Sequence, residues 1–378
     1  MKILMTADTV GGVWMYALEL AHALAPHGVE VVLATMGAPL SAHQRVAVAA
    51  LDNVRVHEST YRLEWMENAW ADVDRAGDWL MDLESRECPD LVHLNGYAHG
   101  TLAWDAPVLM VGHSCVRSWW DAVKGAAAPA EWTEYTRRTR AGLQAAHAVV
   151  APSGAMRDAL HHHYGPFEDV RVVFNARSGP FRAGVKEPFV LSAGRLWDEG
   201  KNVAALARVA GALTWPVYVA GSTTAPDGST ARLGELRPLG QLSRDQLAAW
   251  FARAAVYALP ARYEPFGLSV LEAALSGCAL VLGDIPSLRE LWSGAAVFVA
   301  PDDDEALLAA LREVQEKPAL RQSLAARAYL RALTFTPQRM AEGYLVAYEC
   351  ARRSHARVTS LPARRTREAP REVIACAS

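Results

Sequence analysis

Residues 261–284 read ARYEPFGLSVLEAALSGCALVLGD. The stretch follows a short apolar run, VYALP at 256–260, and ends in another, ALVLG at 279–283. A helical period lies between the two. Strand, loop, helix and strand in this order make a βαβ unit, whose two strands lie parallel. Near-continuous apolar strands of this kind are buried on both faces by helices. Glu264 sits in the loop with Pro265 and Gly267, and Glu272 sits on the helix behind it. The amides of Phe266, Gly267 and Leu268 open that helix and have no preceding carbonyl to satisfy them. Such donors, aided by the helix dipole, suit anionic or hydroxyl-rich groups. Carboxylates accept hydrogen bonds from sugar hydroxyls. Two isolated glutamates in this arrangement would more often be a turn residue and a solvated helix residue.

The same alternation extends in both directions. Downstream is AVFVA at 296–300, and upstream are VYVAG at 217–221 and FVLSAG at 189–194. Before these, residues 176–188 (ARSGPFRAGVKEP) are rich in Gly, Pro and charge and read as a linker. The first half repeats the pattern with strands expected at 2–7, 29–35, 54–59, 90–95, 107–113, 148–152 and 170–175. Amphipathic helices are expected at 13–26, 68–86, 131–146 and 153–163. Two doubly wound α/β domains follow, with a ligand cleft at the carboxyl ends of their strands. The expected divisions are a first Rossmann-like domain at 1–180, a second at 188–335, a helix at 336–353 crossing back to the first domain, and a poorly ordered tail at 354–378.

The segment 261–284, with the preceding GQLSRDQLAAWFARAAVYALP, resembles the retaining GT-B glycosyltransferases of family 4, also called group 1. Their signature pairs two glutamates with seven residues between them, FG-L among these. The resemblance covers nearly the whole chain to about residue 350. It implies a metal-independent transfer from a nucleotide-diphosphate sugar, with retention by front-face attack. It implies that Glu264 contacts the donor sugar, that Glu272 holds the ribose, and that Phe266, Gly267 and Leu268 offer amides to sugar or phosphate. Gln241 and Leu242 would bracket the base.

Three other segments fit that reading. SAGRLWDEGKN (192–202) carries Arg195 and Lys201, two cations beside one strand end, as a diphosphate leaving group needs. The family usually has Lys-Gly where this chain has Gly200-Lys201. VGGVW (10–14) places Gly11 and Gly12 after the first strand, where backbone can approach a ligand closely. His113 ends the strand at 107–112 and matches the family histidine close to the transferred sugar; Asn175 resembles the family's Asn-Gly turn, here Asn-Ala.

The acceptor is expected on the first domain, which carries Trp14, Trp65, Trp70, Trp79, Trp104, Trp119, Trp120 and Trp132. Most of these read as core, with Trp119 and Trp120 singled out for the acceptor. The acceptor class, whether small molecule, glycan or lipid-linked, stays open. So does the donor nucleotide, whether UDP, GDP or ADP. Asp302, Asp303 and Asp304 read as a helix cap rather than a metal site, and His161, His162 and His163 as a solvated helix end. No metal or other cofactor is expected. The alternatives are a nucleotide-sugar epimerase or hydrolase on the same fold, or a non-catalytic nucleotide-sugar-binding regulator.

Over 378 residues, 51% are hydrophobic and 21% charged, which is enough for two cores. A net charge of −3 gives no field favouring nucleic acid. The five cysteines (Cys88, Cys115, Cys278, Cys350, Cys376) are odd in number and lack CxxC spacing, which points to a reducing compartment. No stretch approaches the roughly 18 apolar residues of a membrane span. A cytoplasmic protein is expected, with peripheral membrane contact left open.

Overall fold

The structure is a computed structural model; it describes residues 1–167, 170–225 and 228–360, the last three by backbone alone. The first parallel sheet contains β1 (Lys2–Asp8), β2 (Glu30–Met36), β3 (Val54–Glu58), β4 (Leu91–Leu94), β5 (Val108–Val111), β6 (Ala148–Ala151) and β7 (Val170–Val172). Their order is β3-β2-β1-β4-β5-β6-β7. Helices α1 (Gly12–Leu24), α2 (Ala42–Ala49), α3 (Trp70–Glu87), α4 (Val116–Lys124), α5 (Thr133–Ala145) and α6 (Gly154–Tyr164) connect them. β1 is buried at every position but its two ends, as expected of a strand covered on both faces.

The second sheet contains β8 (Glu187–Ala193), β9 (Val217–Ala220), β10 (Arg237–Gly240), β11 (Ala254–Leu259), β12 (Ala279–Gly283) and β13 (Ala296–Val299), ordered β10-β9-β8-β11-β12-β13 and also parallel. Helices α7 (Val203–Ala210), α8 (Arg244–Arg253), α9 (Leu268–Leu275), α10 (Pro286–Trp292), α11 (Asp304–Glu316) and α12 (Pro318–Ala332) accompany it. Strand β10 is absent from the sequence reading. Its RPLG lacks β-branched residues, and Pro238 is tolerated because the strand lies at the sheet edge.

Helix α13 (Pro337–Ser360) packs on α1, β5 and β6 of the first sheet. Its Tyr344 and Tyr348 are fully buried in one core with Tyr16 and Leu20. The approach is close: a Cβ on Gly343 would fall 2.9 Å from Val173. The tail expected from residue 354 is therefore corrected at its start, since α13 continues to Ser360. Residues 361–378 lie outside the described residues.

In each sheet the strand order reverses at one point, between β1 and β4 and between β8 and β11. Ligands of open α/β sheets bind outside the carboxyl ends of the strands at such switch points.

Candidate active site

The loops that leave both switch points carry most of the residues singled out in the sequence. Asp8 ends β1, and the following turn is held by Thr9, whose Oγ1 donates to the Ala38 carbonyl at 2.8 Å. Val10 N donates to Asp8 Oδ1 at 2.6 Å. A Cβ on Gly11 would lie 3.5 Å from Asp8 Oδ2 and 3.7 Å from an Arg195 nitrogen, so the two loops face each other there. A Cβ on Gly12 would meet nothing within 4 Å. Protein packing does not require glycine at either position. Burial pushes the Asp8 carboxyl above its ordinary value, opposed by the Val10 amide and by Arg195.

From the second switch point, Arg195 follows β8 and pairs with buried Asp198 at 2.9 Å. Asp198 Oδ1 also accepts from Gly200 N at 2.9 Å and from Trp119 Nε1 at 3.2 Å. Burial works against the ionised Asp198, yet Arg195, Lys201 and these donors hold its pKa below the usual range. Lys201 Nζ is ion-paired with Glu264 Oε2, and both side chains are largely buried. Gly200-Lys201, the reverse of the family's usual Lys-Gly, thus still brings an ammonium to the first glutamate. Gly267 adopts a φ of 91° at the start of α9, the left-handed region that favours glycine. The Phe266 amide faces Glu264 Oε1 at 3.4 Å, ahead of the Gly267 and Leu268 amides that begin the helix.

The loop between β11 and α9 is stitched to the first domain. Tyr263 Oη accepts from Cys115 N at 3.2 Å and lies 2.8 Å from Ser118 Oγ, two and five residues past His113. Ser153 Oγ donates to the Pro265 carbonyl at 2.8 Å, while it also caps α6 by accepting from Met156 N at 3.1 Å. Glu290 of α10 accepts from Gly154 N and Ala155 N at 2.8 and 2.9 Å.

His113 follows β5. Its Nε2 lies 2.7 Å from Asn95 Oδ1, and the Tyr16 ring meets it edge-on at 4.4 Å between centroids. Burial drives its pKa down to about 3, so the ring is neutral at physiological pH.

Glu272 belongs to a second set. It is 6% exposed, and its Oε1 accepts from Arg177 Nε at 2.5 Å. Arg177 also reaches Glu19 Oε2 of α1 at 3.3 Å, and Ser178 N donates to Glu19 Oε1 at 2.8 Å. Asn175, two residues before Arg177, has a buried Oδ1 with no hydrogen-bond partner.

Other expected residues fall less centrally. Gln241 lines a groove of about 510 Å³ at the ends of β9 and β10 with Gly221, Ser222 and Thr223. Leu242 packs, partly buried, on the core of the second domain. Trp119 stands at the domain contact with Asp198, and Trp120 lies T-shaped against it at 5.8 Å. Asp303 caps α11 through Ala306 N, while Asp302 and Asp304 pair with Arg262 and Arg208. His163 is buried rather than solvated, because α6 turns its last residues under Arg117, which binds the His163 carbonyl.

Sequence reasoning missed Asp8, Asn95, Arg177 and Tyr263. Asp8 ends and Asn95 follows a strand at the first switch point, and that position was the one signal available.

Residues 10–177 match the model of Glycosyltransferase Family 4, and residues 187–317 match that of Glycosyl transferases group 1. The glycogen synthase of Mycobacterium tuberculosis (strain H37Rv) is 30% identical, over 93% of this chain and 95% of that protein. The chain belongs to the family 4, group 1 glycosyltransferases. The enzyme is also 25% identical to the alpha-maltose-1-phosphate synthase of Mycolicibacterium smegmatis, over 61% of this chain and 70% of the relative. Among solved structures, the glycosyltransferase shares its fold with sucrose-phosphate synthase from Thermosynechococcus elongatus (TM-score 0.78, 18% identity, 92% and 98% coverage). It also matches Anabaena HepE in complex with UDP and glucose (TM-score 0.71, 14% identity, 92% and 99% coverage). Both likenesses establish the GT-B architecture. No helix among the described residues of the glycosyltransferase is long and apolar enough to cross a membrane.

Proposed function

We propose that this glycosyltransferase moves a hexosyl group from a nucleoside-diphosphate sugar to an acceptor hydroxyl, with retention of anomeric configuration and without a metal ion. The observation that carries the reading is the Lys201–Glu264 ion pair, set beside Arg195 where the second sheet reverses its order. Arg195 and Lys201 take the diphosphate and neutralise the charge that develops as the anomeric C–O bond breaks. Glu264 orients sugar hydroxyls. The helix amides of Gly267 and Leu268 add donors for phosphate or sugar. Glu272, held in place by its ion pair with Arg177, takes the ribose. The acceptor oxygen attacks the face the phosphate leaves, and its proton passes to the departing phosphate oxygen. Water is kept out by the contacts of Tyr263, Ser153 and Glu290 that close the domains over the cleft.

The glycines fit the same picture. Since protein atoms leave room for a Cβ at Gly11 and Gly12, their small size serves a group approaching from outside the chain. The relatives named glycogen synthase and alpha-maltose-1-phosphate synthase support glucosyl donors, with an α-glucan or a glucose phosphate as acceptor. The HepE complexes support a uridine or similar nucleotide.

The test is a transfer assay with UDP-, GDP- and ADP-sugars against α-glucan and hexose phosphate acceptors, with and without EDTA, read by proton NMR of the product. An α-linked product from an α-donor, formed equally in EDTA, is expected. A β-linked product or loss of turnover in EDTA would contradict retention or metal independence respectively.

A further inference from the structure

We propose that Asn95 is a positioning residue that fixes His113 as the neutral tautomer with its proton on Nε2, so the ring meets the sugar as an acceptor at Nδ1. For the identity of the ligand this rests on the glycosyl-transfer reading; for the state of the ring it does not.

Which atoms can donate decides the state of the ring. Asn95 leaves β4 beside the first switch point. Its backbone amide donates to Thr6 Oγ1 at 2.8 Å, and its side-chain Nδ2 donates to the Thr6 carbonyl at 2.7 Å. Thr6 is buried in β1. A carbonyl oxygen only accepts, so the atom facing it must be the amide nitrogen. Turning the amide over would set oxygen against oxygen. The amide oxygen therefore faces the other way, where it lies 2.7 Å from His113 Nε2. An amide oxygen also only accepts, so Nε2 carries the hydrogen. The backbone of β1 thus dictates the tautomer of a ring on the far side of β4.

Protonation of the second nitrogen as well is opposed by the surroundings. The titratable groups around the ring are Tyr16, edge-on at 4.4 Å, and His93. His93 is buried, lies between Tyr16 Oη (3.2 Å) and Tyr348 Oη (2.9 Å) and also meets the Asn95 side chain, and burial holds its pKa at about 3, so it is neutral. Burial is the cause of the His113 shift, with no carboxylate offsetting it. Nδ1 is left with its lone pair.

The consequence for the reaction is definite. A sugar hydroxyl donates to His113 Nδ1, and the ring supplies no proton to the leaving phosphate. The negative charge of the departing diphosphate then falls to Arg195, Lys201 and the amides at the start of α9, not to a histidine proton.

The experiment is two-dimensional ¹⁵N–¹H NMR of histidine-labelled full-length protein at pH 7, with His113 assigned by loss of its signals in His113→Gln. The expected spectrum has Nε2 in the protonated range and Nδ1 in the unprotonated range. In Asn95→Ala the two shifts move together toward a tautomer average. Turnover in that variant falls by about 100-fold, as for a displaced catalytic group, while donor KM changes little. Asn95→Asp restores the acceptor and the Nε2–H pattern at high pH. Its carboxylate raises the His113 pKa, so its activity declines as pH falls toward 6, where the wild type is flat. A wild-type spectrum showing Nδ1–H or imidazolium at pH 7 overturns the proposal, whether or not any variant folds. So does an Asn95→Ala protein with wild-type shifts and turnover. A chain that transfers no sugar from any donor, yet shows the Nε2–H spectrum, would refute the functional reading and leave the tautomer standing.

Discussion

Arg177 and Glu272, 95 residues apart in sequence, meet as an ion pair at 2.5 Å in which the side chains are 4% and 8% exposed. The same guanidinium reaches Glu19 in α1 of the first domain. One linker cation therefore ties a carboxylate of each domain to the segment that joins them. Arg177→Met strands the buried Glu272 without its ion pair and leaves Glu19 with only the Ser178 amide and Arg244, at 3.9 Å. A loss of about 3–5 kcal/mol in unfolding free energy is expected, the usual cost of breaking a buried pair from one side. Urea titration measures it. Donor KM should rise as well, because Glu272 loses the contact that orients it. A variant as stable as the wild type would show that the pair carries no weight.

Gly12 separates packing from ligand approach. The first position of α1 has open space where a Cβ would be. Gly12→Ala should therefore stabilise the fold by about 0.4–1 kcal/mol through the unfolded chain. Donor or acceptor affinity should fall by roughly tenfold, because the methyl intrudes where a ligand must sit. Thermal melts and steady-state kinetics check the two effects separately. Stability and activity moving together would contradict the assignment.

Stability should depend on pH through the buried histidines. His93 and His113 titrate near 3 when folded, against 6.5 when free. Between those values the unfolded chain binds more protons than the folded one. Stability is then fully present above pH 6.5 and is lost as pH falls, by about 1.4 kcal/mol per pH unit per histidine. Urea melts at pH 7 and pH 5 should show a smaller difference in His113→Gln than in the wild type, by about 2 kcal/mol. Equal differences in the two proteins would contradict the burial argument.

The fold was legible because period and strand length are local. Apolar runs such as VYALP and ALVLG, separated by helical spacing, announce a parallel sheet without any knowledge of partners. Glu264, Lys201 and Arg195 were legible because each sits in a short segment beside a strand end. Strand β10 was not, since RPLG has neither strand composition nor alternation and exists only because β9 offers it an edge.

The missed residues share one cause. Arg177 reads as one more charge in a polar linker until Glu19 and Glu272 close around it from two domains. Asn95 reads as a polar strand end until Thr6 and His113 flank it, residues separated from it by 89 and 18 positions. Such roles are made by topology, not by spacing along the chain. The end of α13 was missed for a different reason: residues 354–360 lack an apolar period, and the helix continues there from the turns already docked on the first sheet.

The central claim is that two cations on the loops following β8 hold a sugar nucleotide's diphosphate. Isothermal titration of UDP, GDP and ADP into the wild type and into Arg195→Ala/Lys201→Ala tests it most directly, without depending on the acceptor. At least one nucleotide should bind the wild type, and its Kd should rise by about 100-fold or more in the double variant, consistent with about 3 kcal/mol of charge-assisted contacts. Circular dichroism should show that the variant keeps its fold. A folded double variant that binds the nucleotide as tightly as the wild type would contradict the account.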